Sequence, residues 1–307
     1  MKAKGYHQGV AKLAGVFGYS RQNYYQCHNR LKQRQAREQE VLAFVRSVRC
    51  EQKRIGTIKL HRLISDHYGS GYIGRDALYE LLRRHKLLIR RPKRYRPKLT
   101  DGNGKSIYPD YRKGLKVSKI NELWSSDITY LYLQKSPRYL YLCCIVDEYS
   151  HLIVGYQLST DMKAKQVLSA LAKGIDQQLP SGQTSFNSEL ILHTDRGSQF
   201  KSKSYQTFTR QHGIRTSMCA AGKSHENPVS ERLNGILKNE LLGQDTFNDV
   251  KQAQQAIDRA IFIYNDKRPH LSCELLTPRQ AHQQGTGPLK KLWRQRKTHK
   301  TKTTAQH

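Results

Sequence analysis

The chain has 307 residues, enough for a sizeable core with a smaller appendage, and sets 54 Lys and Arg against 24 Asp and Glu, a formal net charge of +30. Neutral small-molecule chemistry needs no such excess; it draws polyanions, nucleic acid above all, with a merely basic ribosomal-type protein as the plain alternative. No run approaches about eighteen apolar residues, so no membrane partner is expected.

The N-terminus carries no apolar run suited to a signal peptide, and the reading is cytoplasmic. The six cysteines form no C-x-x-C pair, which argues against a zinc site of the usual spacing. Cys143 and Cys144, adjacent in an apolar run, read as buried reduced thiols.

Residues 1–36 suggest a helix-turn-helix. Val10, Leu13 and Ala14 keep helical spacing, Gly15 to Gly18 breaks it, and Ser20 suits the N-cap of a second helix. Such a pair would set Arg21, Gln22 and Asn23 in a major groove, although an ordinary basic helical hairpin fits the same residues. Residues 37–90 read as three more helices, marked by Val41 to Val48, Ile58 to Ile64 and Ala77 to Leu82. Arg75 heads the third, and a second helix-turn-helix-like unit here would make a bipartite DNA reader. Residues 91–120 read as a basic linker. Its start, Arg90 to Lys98, holds two prolines among basic residues and suits an arm that follows phosphates.

Residues 121–285 change character. Three strands, 123–133, 139–146 and 152–158, are joined by short turns into an antiparallel meander. A helix at 163–178, a strand at 190–193, a helix at 202–212, a strand at 214–218 and helices at 228–242 and from Val250 onward follow. This is an α/β fold, a mixed sheet flanked by helices, preceded by an all-α region. Residues 286–307 form a basic tail.

Three carboxylates stand out. Asp195 follows the apolar strand Leu190 to Leu192 and precedes a turn signal, so it lies at the mouth of the sheet. Asp127 sits mid-strand beside Trp124 and Ile128, where a charge is costly unless it lies at an edge or meets a cation. Glu231 lies on a helix and shares its face with Asn234 and Lys238. Two aspartates and one glutamate could converge on Mg²⁺ or Mn²⁺, and two such ions about 4 Å apart serve phosphodiester chemistry. Three acids among 24 can be found in many arrangements, and plainly solvated carboxylates remain open on this ground alone.

Four segments together resemble the retroviral-integrase-like transposases of the insertion-sequence-3 family. They are Trp124-Ser-Ser-Asp-Ile-Thr-Tyr130, His193-Thr-Asp-Arg-Gly-Ser-Gln-Phe200, Asn227 to Glu240, and Tyr264-Asn-Asp-Lys-Arg-Pro-His270, with Thr277-Pro278 and Ala281 closing the set. Thirty-five residues separate Asp195 from Glu231, the family's spacing. The resemblance implies an RNase-H-like core with Asp127, Asp195 and Glu231 as an acidic triad for two divalent ions. It implies a bacterial, nucleoid-associated DNA transposase that cleaves at element ends and joins them to target duplex DNA. Asn234 and Lys238, with Arg75 and Arg21, are the candidate DNA contacts.

The family commonly has Asp-Asn-Ala where this chain has Glu226-Asn227-Pro228. The resemblance also implies an upstream reading-frame product as partner and self-association on DNA. The sequence shows no sustained heptad repeat, so a chain mainly monomeric without DNA is expected. A catalytically inactive DNA-binding remnant or repressor of transposition is the alternative, and a nuclease for RNA–DNA hybrids is a third reading.

Overall fold

The computed structural model describes residues 3–89, 107–134, 139–187, 189–219, 227–243, 247–289 and 292. The basic arm Arg90 to Lys98, the turn Lys135 to Pro137, the loop with Gly222 to Ser224 and Glu226, and most of the tail lie outside the described residues. Two compact units are present, one of residues 1–51 and 56–88, the other of 52–55 and 89–307.

The first unit is all helical. Helix α1 spans Ala3–Val16 and α2 spans Arg21–Glu51. The chain reverses at Gly18, whose φ of 71° suits a residue without a Cβ. Ser20 then caps α2, its Oγ accepting from the Asn23 amide at 3.1 Å. Helix α2 continues through residues 36 and 37, where a boundary between modules was expected, because its 31 residues contain no Gly or Pro to stop it. Its first half is polar and exposed. Its second half buries Val41, Leu42 and Val45 with Leu60 and Ile64 of α3 (Thr57–Tyr68) and Leu78, Leu81 and Leu82 of α4 (Arg75–Arg84). A Glu38–Arg84 ion pair at 2.9 Å and a stack of Phe44 on His67 complete this packing.

The second unit is a five-stranded mixed sheet in the order β3-β2-β1-β4-β5. Strands β1 (Leu123–Tyr132), β2 (Tyr139–Asp147) and β3 (Ile153–Ser159) form the antiparallel meander. Strands β4 (Leu190–Thr194) and β5 (Ile214–Met218) then add in parallel, β4 on β1 and β5 on β4.

Both faces are covered, which is why β2 reads as an unbroken apolar run rather than an alternating one. Cys143 and Ile145 join the core under α5 (Ala164–Gln178) and α6 (Lys203–Gln211). Leu142, Cys144 and Val146 join the core under α7 (Pro228–Ile236) and α8 (Val250–Phe262). Helix α5 lies so close to β3 that a Cβ at Gly155 would meet the Ala170 carbonyl at 2.2 Å.

Three details depart from the expected elements. The helix expected over 228–242 is α-helical only to Ile236 and passes into a π turn at Leu237–Leu241; α8 likewise ends in a π turn at Ile263–Lys267. Arg268 follows the second π turn and grips Glu240 of the first, Nε and Nη2 each donating at 2.8 Å. A further helix, α9 (Pro278–Gln284), begins at a capping box between Thr277 and Gln280. The described part of the expected linker, from residue 107, packs on the core. The Tyr111 amide donates to Ser217 Oγ at 2.9 Å, and Arg112 pairs with Glu148 at 3.0 Å. Among the described residues no helix is long and apolar enough to cross a membrane.

Candidate active site

The parallel pairing of β1 with β4 builds the site. Its register sets Ser125 opposite His193. Two residues further along each chain come Asp127, in β1 where its pairing with β4 has stopped, and Asp195, just past the end of β4, so that each carboxylate lies within reach of the other's charge. His193 fixes this end of β4. Its ring lies 2.9 Å from Ser217 Oγ through Nδ1 and 3.2 Å from Cys219 Sγ through Nε2, both partners near the end of β5. Beyond it the Gly197 amide donates to Asp195 Oδ1 at 2.9 Å, closing the turn that the sequence signals.

Glu231 arrives from α7, whose placement rests on Asn227. This residue caps α7, its Oδ1 accepting from the Ser230 amide at 3.4 Å, while its Nδ2 donates to the Ser126 carbonyl at 3.0 Å. One side chain thus starts the helix of Glu231 and ties it to the strand of Asp127. Pro228 occupies the first turn, where a missing N–H costs nothing, so the departure at Glu226-Asn227-Pro228 keeps the cap intact. Glu231 itself is exposed.

Asn234, one turn on, donates Nδ2 to Asp127 Oδ2 at 2.8 Å. Lys238, half-buried in the π turn, lies with its Nζ 5.6 Å from the centre of the Tyr130 ring. Asn234 and Lys238 thus both face β1.

The electrostatics follow from burial and crowding of like charge. Burial, then the neighbouring Asp195 and more weakly Glu231, push the Asp127 carboxyl up to about 7, against the Ile128 amide and Lys238. Burial also raises Asp195, opposed by the Gly197 amide and Lys201. Burial lowers the Lys238 ammonium, opposed by Asp127. A group of carboxylates that repel one another in a partly dry recess has the donor chemistry of a hard divalent-ion site.

The other two candidates belong to the helical unit. Arg75 is exposed at the start of α4 and pairs with Asp76 at 2.8 Å. Arg21 is exposed at the start of α2, its guanidinium 5.7 Å from the Tyr25 ring centre.

Asn227 as an anchor to Ser126 and His193 as a brace across β5 were not predicted in those roles. Their partners are distant in sequence, and only the position of Asn227 before an apolar helical run hinted at its cap.

Two integrase core domain families match the chain, over residues 118–224 and 212–278. The uncharacterized 31 kDa protein of insertion element IS600 from Shigella sonnei is 29% identical over 87% of this chain and 96% of its own length. The transposase for IS904 from Lactococcus lactis is 32% identical over 53% of this chain, and the putative transposase InsK for IS150 from Escherichia coli 29% identical over 54%. Those two matches cover 62% and 56% of the respective relatives. Among solved structures, a simian T-cell lymphotropic virus intasome chain is similar at 20% identity, with a TM-score of 0.44 over 75% of this chain and 71% of that one. With integrase core matches that together run from residue 118 to 278, and with relatives of this kind, the chain belongs to the insertion-element transposases with an integrase core domain.

Proposed function

We propose that the chain is a DNA transposase of the insertion-sequence-3 family. It cleaves at the ends of its element and joins the exposed 3′-hydroxyl to another phosphodiester by in-line attack, with no covalent protein intermediate. The observation that carries this reading is the juxtaposition of Asp127 and Asp195 where the pairing of β1 with β4 stops, with Glu231 on the helix that Asn227 ties to β1 and close enough for its charge to act on Asp127.

Asp127, Asp195 and Glu231 fit Mg²⁺ or Mn²⁺: all offer hard oxygen donors, and burial, with the neighbouring acids, raises Asp127 to about 7, a charge that a bound cation would offset. When bound, two such ions would lower the pKa of an attacking water or hydroxyl and stabilise the leaving oxygen. The protein's own part is orientation. The Gly197 amide holds Asp195 Oδ1, Asn234 holds Asp127 Oδ2, and the Lys238 ammonium is long enough to take a phosphate of the DNA end.

The substrate in this reading is duplex DNA, the terminal inverted repeats and a target. The helical unit supplies duplex reading through the starts of α2 and α4, Arg21 and Arg75. The net charge of +30 supplies salt-sensitive affinity. Self-association on DNA, an upstream reading-frame product as partner, and a cytoplasmic, nucleoid-associated setting complete the proposal. It is tested by incubating the full chain with duplexes ending in the element's terminal repeats and Mg²⁺ or Mn²⁺, and scoring joined products by sequencing. Cation-dependent joining is expected. DNA binding with no joining under any divalent cation would leave a non-catalytic end-binding protein.

A further inference from the structure

We propose a second, separate cation site, for a soft divalent ion such as Zn²⁺, formed by His151, His270 and Cys273. Among the described residues these three offer ligand atoms that all lie within 4.8 Å of one another. They come from two segments far apart in sequence: the turn after β2, and the stretch following the π turn of α8. No spacing rule on the sequence would pair them.

One edge of the cluster is close to what zinc requires. Zn–S of about 2.3 Å and Zn–N of about 2.0–2.1 Å at a tetrahedral angle put sulfur and nitrogen about 3.6 Å apart. Cys273 Sγ lies 3.9 Å from His270 Nδ1, so a shift of a few tenths of an ångström closes that edge. The His151 ring stacks on the His270 ring with centroids 4.5 Å apart, so the half-exposed His151 side chain has to turn out of this stack to aim a ring nitrogen at the ion. His151 holds a left-handed φ of 59°, a conformation that a non-glycine residue keeps when its surroundings impose it.

Donor type decides the ion. Two imidazoles and a thiol are borderline-soft ligands that suit zinc and suit Mg²⁺ poorly, so this site and the acidic one select different metals. His270 and Cys273 are buried, at 7% and 0% exposure, whereas His151 is half-exposed. His151, His270 and Ser272 line a cavity of about 1010 Å³ that Pro228, Val229 and Arg232 of α7 also line, which leaves room for a water as fourth ligand.

Hydrogen bonds at the ligand atoms yield when the ion enters. The Cys273 thiol now donates to the Ser150 carbonyl at 3.3 Å, and the Ser272 amide donates to His270 Nδ1 at 3.2 Å. On binding, the S–H bond breaks, a proton leaves to solvent for each ion bound, and sulfur and two imidazole nitrogens each form a bond to the metal. No electron is transferred. The ion would staple the turn after β2 to the segment that carries Arg268.

The test uses the purified full chain. After loading with Zn²⁺ and dialysis, metal per chain is measured by plasma mass spectrometry. Cobalt loading separately reports thiolate ligation through its near-ultraviolet charge-transfer band. The variants are Cys273→Ser and His151→Asn, the latter chosen because Asn tolerates a left-handed backbone and the position is half-exposed. The wild-type chain is expected to retain one zinc more than either variant, with zinc affinity weakened on the order of a hundredfold or more by loss of a ligand. The cobalt–thiolate band is expected in the wild type and in Cys50→Ser, an exposed cysteine, and absent in Cys273→Ser. Equal zinc retention by wild type and a folded His151→Asn overturns the site, as does a cobalt–thiolate band that survives in Cys273→Ser. Neither readout uses DNA joining, so the result is independent of the transposase reading.

Discussion

Asn234 and Asp127 are bonded across the site, amide Nδ2 to carboxylate Oδ2 at 2.8 Å, so the helix that brings Glu231 also fixes the orientation of the strand's aspartate. Lys238, in the following π turn, is the cation of that helix that Asp127 senses. A divalent ion at the aspartate would release Lys238 to a substrate phosphate. Lys238→Met keeps the aliphatic stem over Tyr130 and removes the charge. A charge-assisted contact contributes about 1.5–3 kcal/mol, so joining should fall about ten- to a hundredfold while the melting temperature stays near wild type. An unchanged joining rate would leave Lys238 as a packing residue.

The carboxylates themselves allow a sharper expectation. Asp127→Asn, Asp195→Asn and Glu231→Gln should each lower cleavage and joining by at least about a hundredfold, the scale on which single charge-stabilising groups act. Binding of end DNA should persist, because the affinity comes from the basic surface rather than from the acids. Gel-shift and joining assays on the same preparations separate the two effects. Near-normal joining by any one variant would remove that residue from the triad.

The raised carboxyl of Asp127 gives a pH prediction with a definite sign. Its folded value, about 7, lies above its ordinary value of 3.8, so the folded protein binds the extra proton between them. Without metal, this group's contribution to stability is therefore present at low pH and lost as pH rises from about 4 through about 7. Asp127→Asn should stabilise the metal-free protein at pH 8 by about 1–3 kcal/mol and have little effect near pH 4. Mn²⁺ should do the opposite of a proton: it should raise the melting temperature of the wild type more at pH 8 than at pH 6, and do so only weakly in Asp127→Asn. Thermal melts at the two pH values, with and without Mn²⁺, check both signs.

The legible part of this site was the part written locally. Asp195 could be placed at a strand end because Leu190 to Leu192 precedes it and Arg-Gly-Ser follows. Glu231, Asn234 and Lys238 could be placed on one side of a helix from their spacing. The pairing of β1 with β4 could not be read, since a parallel partner is chosen by the whole sheet, and with it went the nearness of the two aspartates. The π turns were illegible for a related reason: Glu240 lies in one and Arg268 just after the other, far apart in sequence. The absence of a C-x-x-C pair spoke only about local spacing, and was silent on a cluster assembled from His151 and Cys273.

Asn227 has two jobs that substitution can separate. Asn227→Ala removes the cap and the bond to the Ser126 carbonyl together, and should cost about 1–3 kcal/mol of stability with a large loss of joining. Asn227→Asp keeps a capping oxygen for the Ser230 amide but has no N–H to give Ser126. Joining by Asn227→Asp should therefore fall even where chemical denaturation shows the stability largely restored. Equal recovery of stability and joining would mean that capping alone matters.

The last expectation concerns how the helical unit reads DNA. Arg75 opens α4 just after Gly74, at the turn between α3 and α4, and pairs with the neighbouring exposed Asp76. A guanidinium so placed is free to exchange that partner for a base edge or a phosphate, and the two outcomes differ measurably. If Arg75 reads a base, Arg75→Ala should weaken binding to element ends about ten- to a hundredfold, leave random duplex almost unaffected and hardly alter the salt slope. If it contacts a phosphate, binding to both duplexes should weaken alike and the salt slope should fall by about one. The position of Arg75 at the first turn of the second helix of a helix-turn-helix-like pair favours the base. Arg21, at the first turn of α2 beside Tyr25, is the internal comparison: a loss of end preference confined to Arg21→Ala would assign the reading to α2 instead. Titrations of the full chain at several salt concentrations, on end and random duplexes, decide among these, and no change of preference in either variant would place recognition outside both helices.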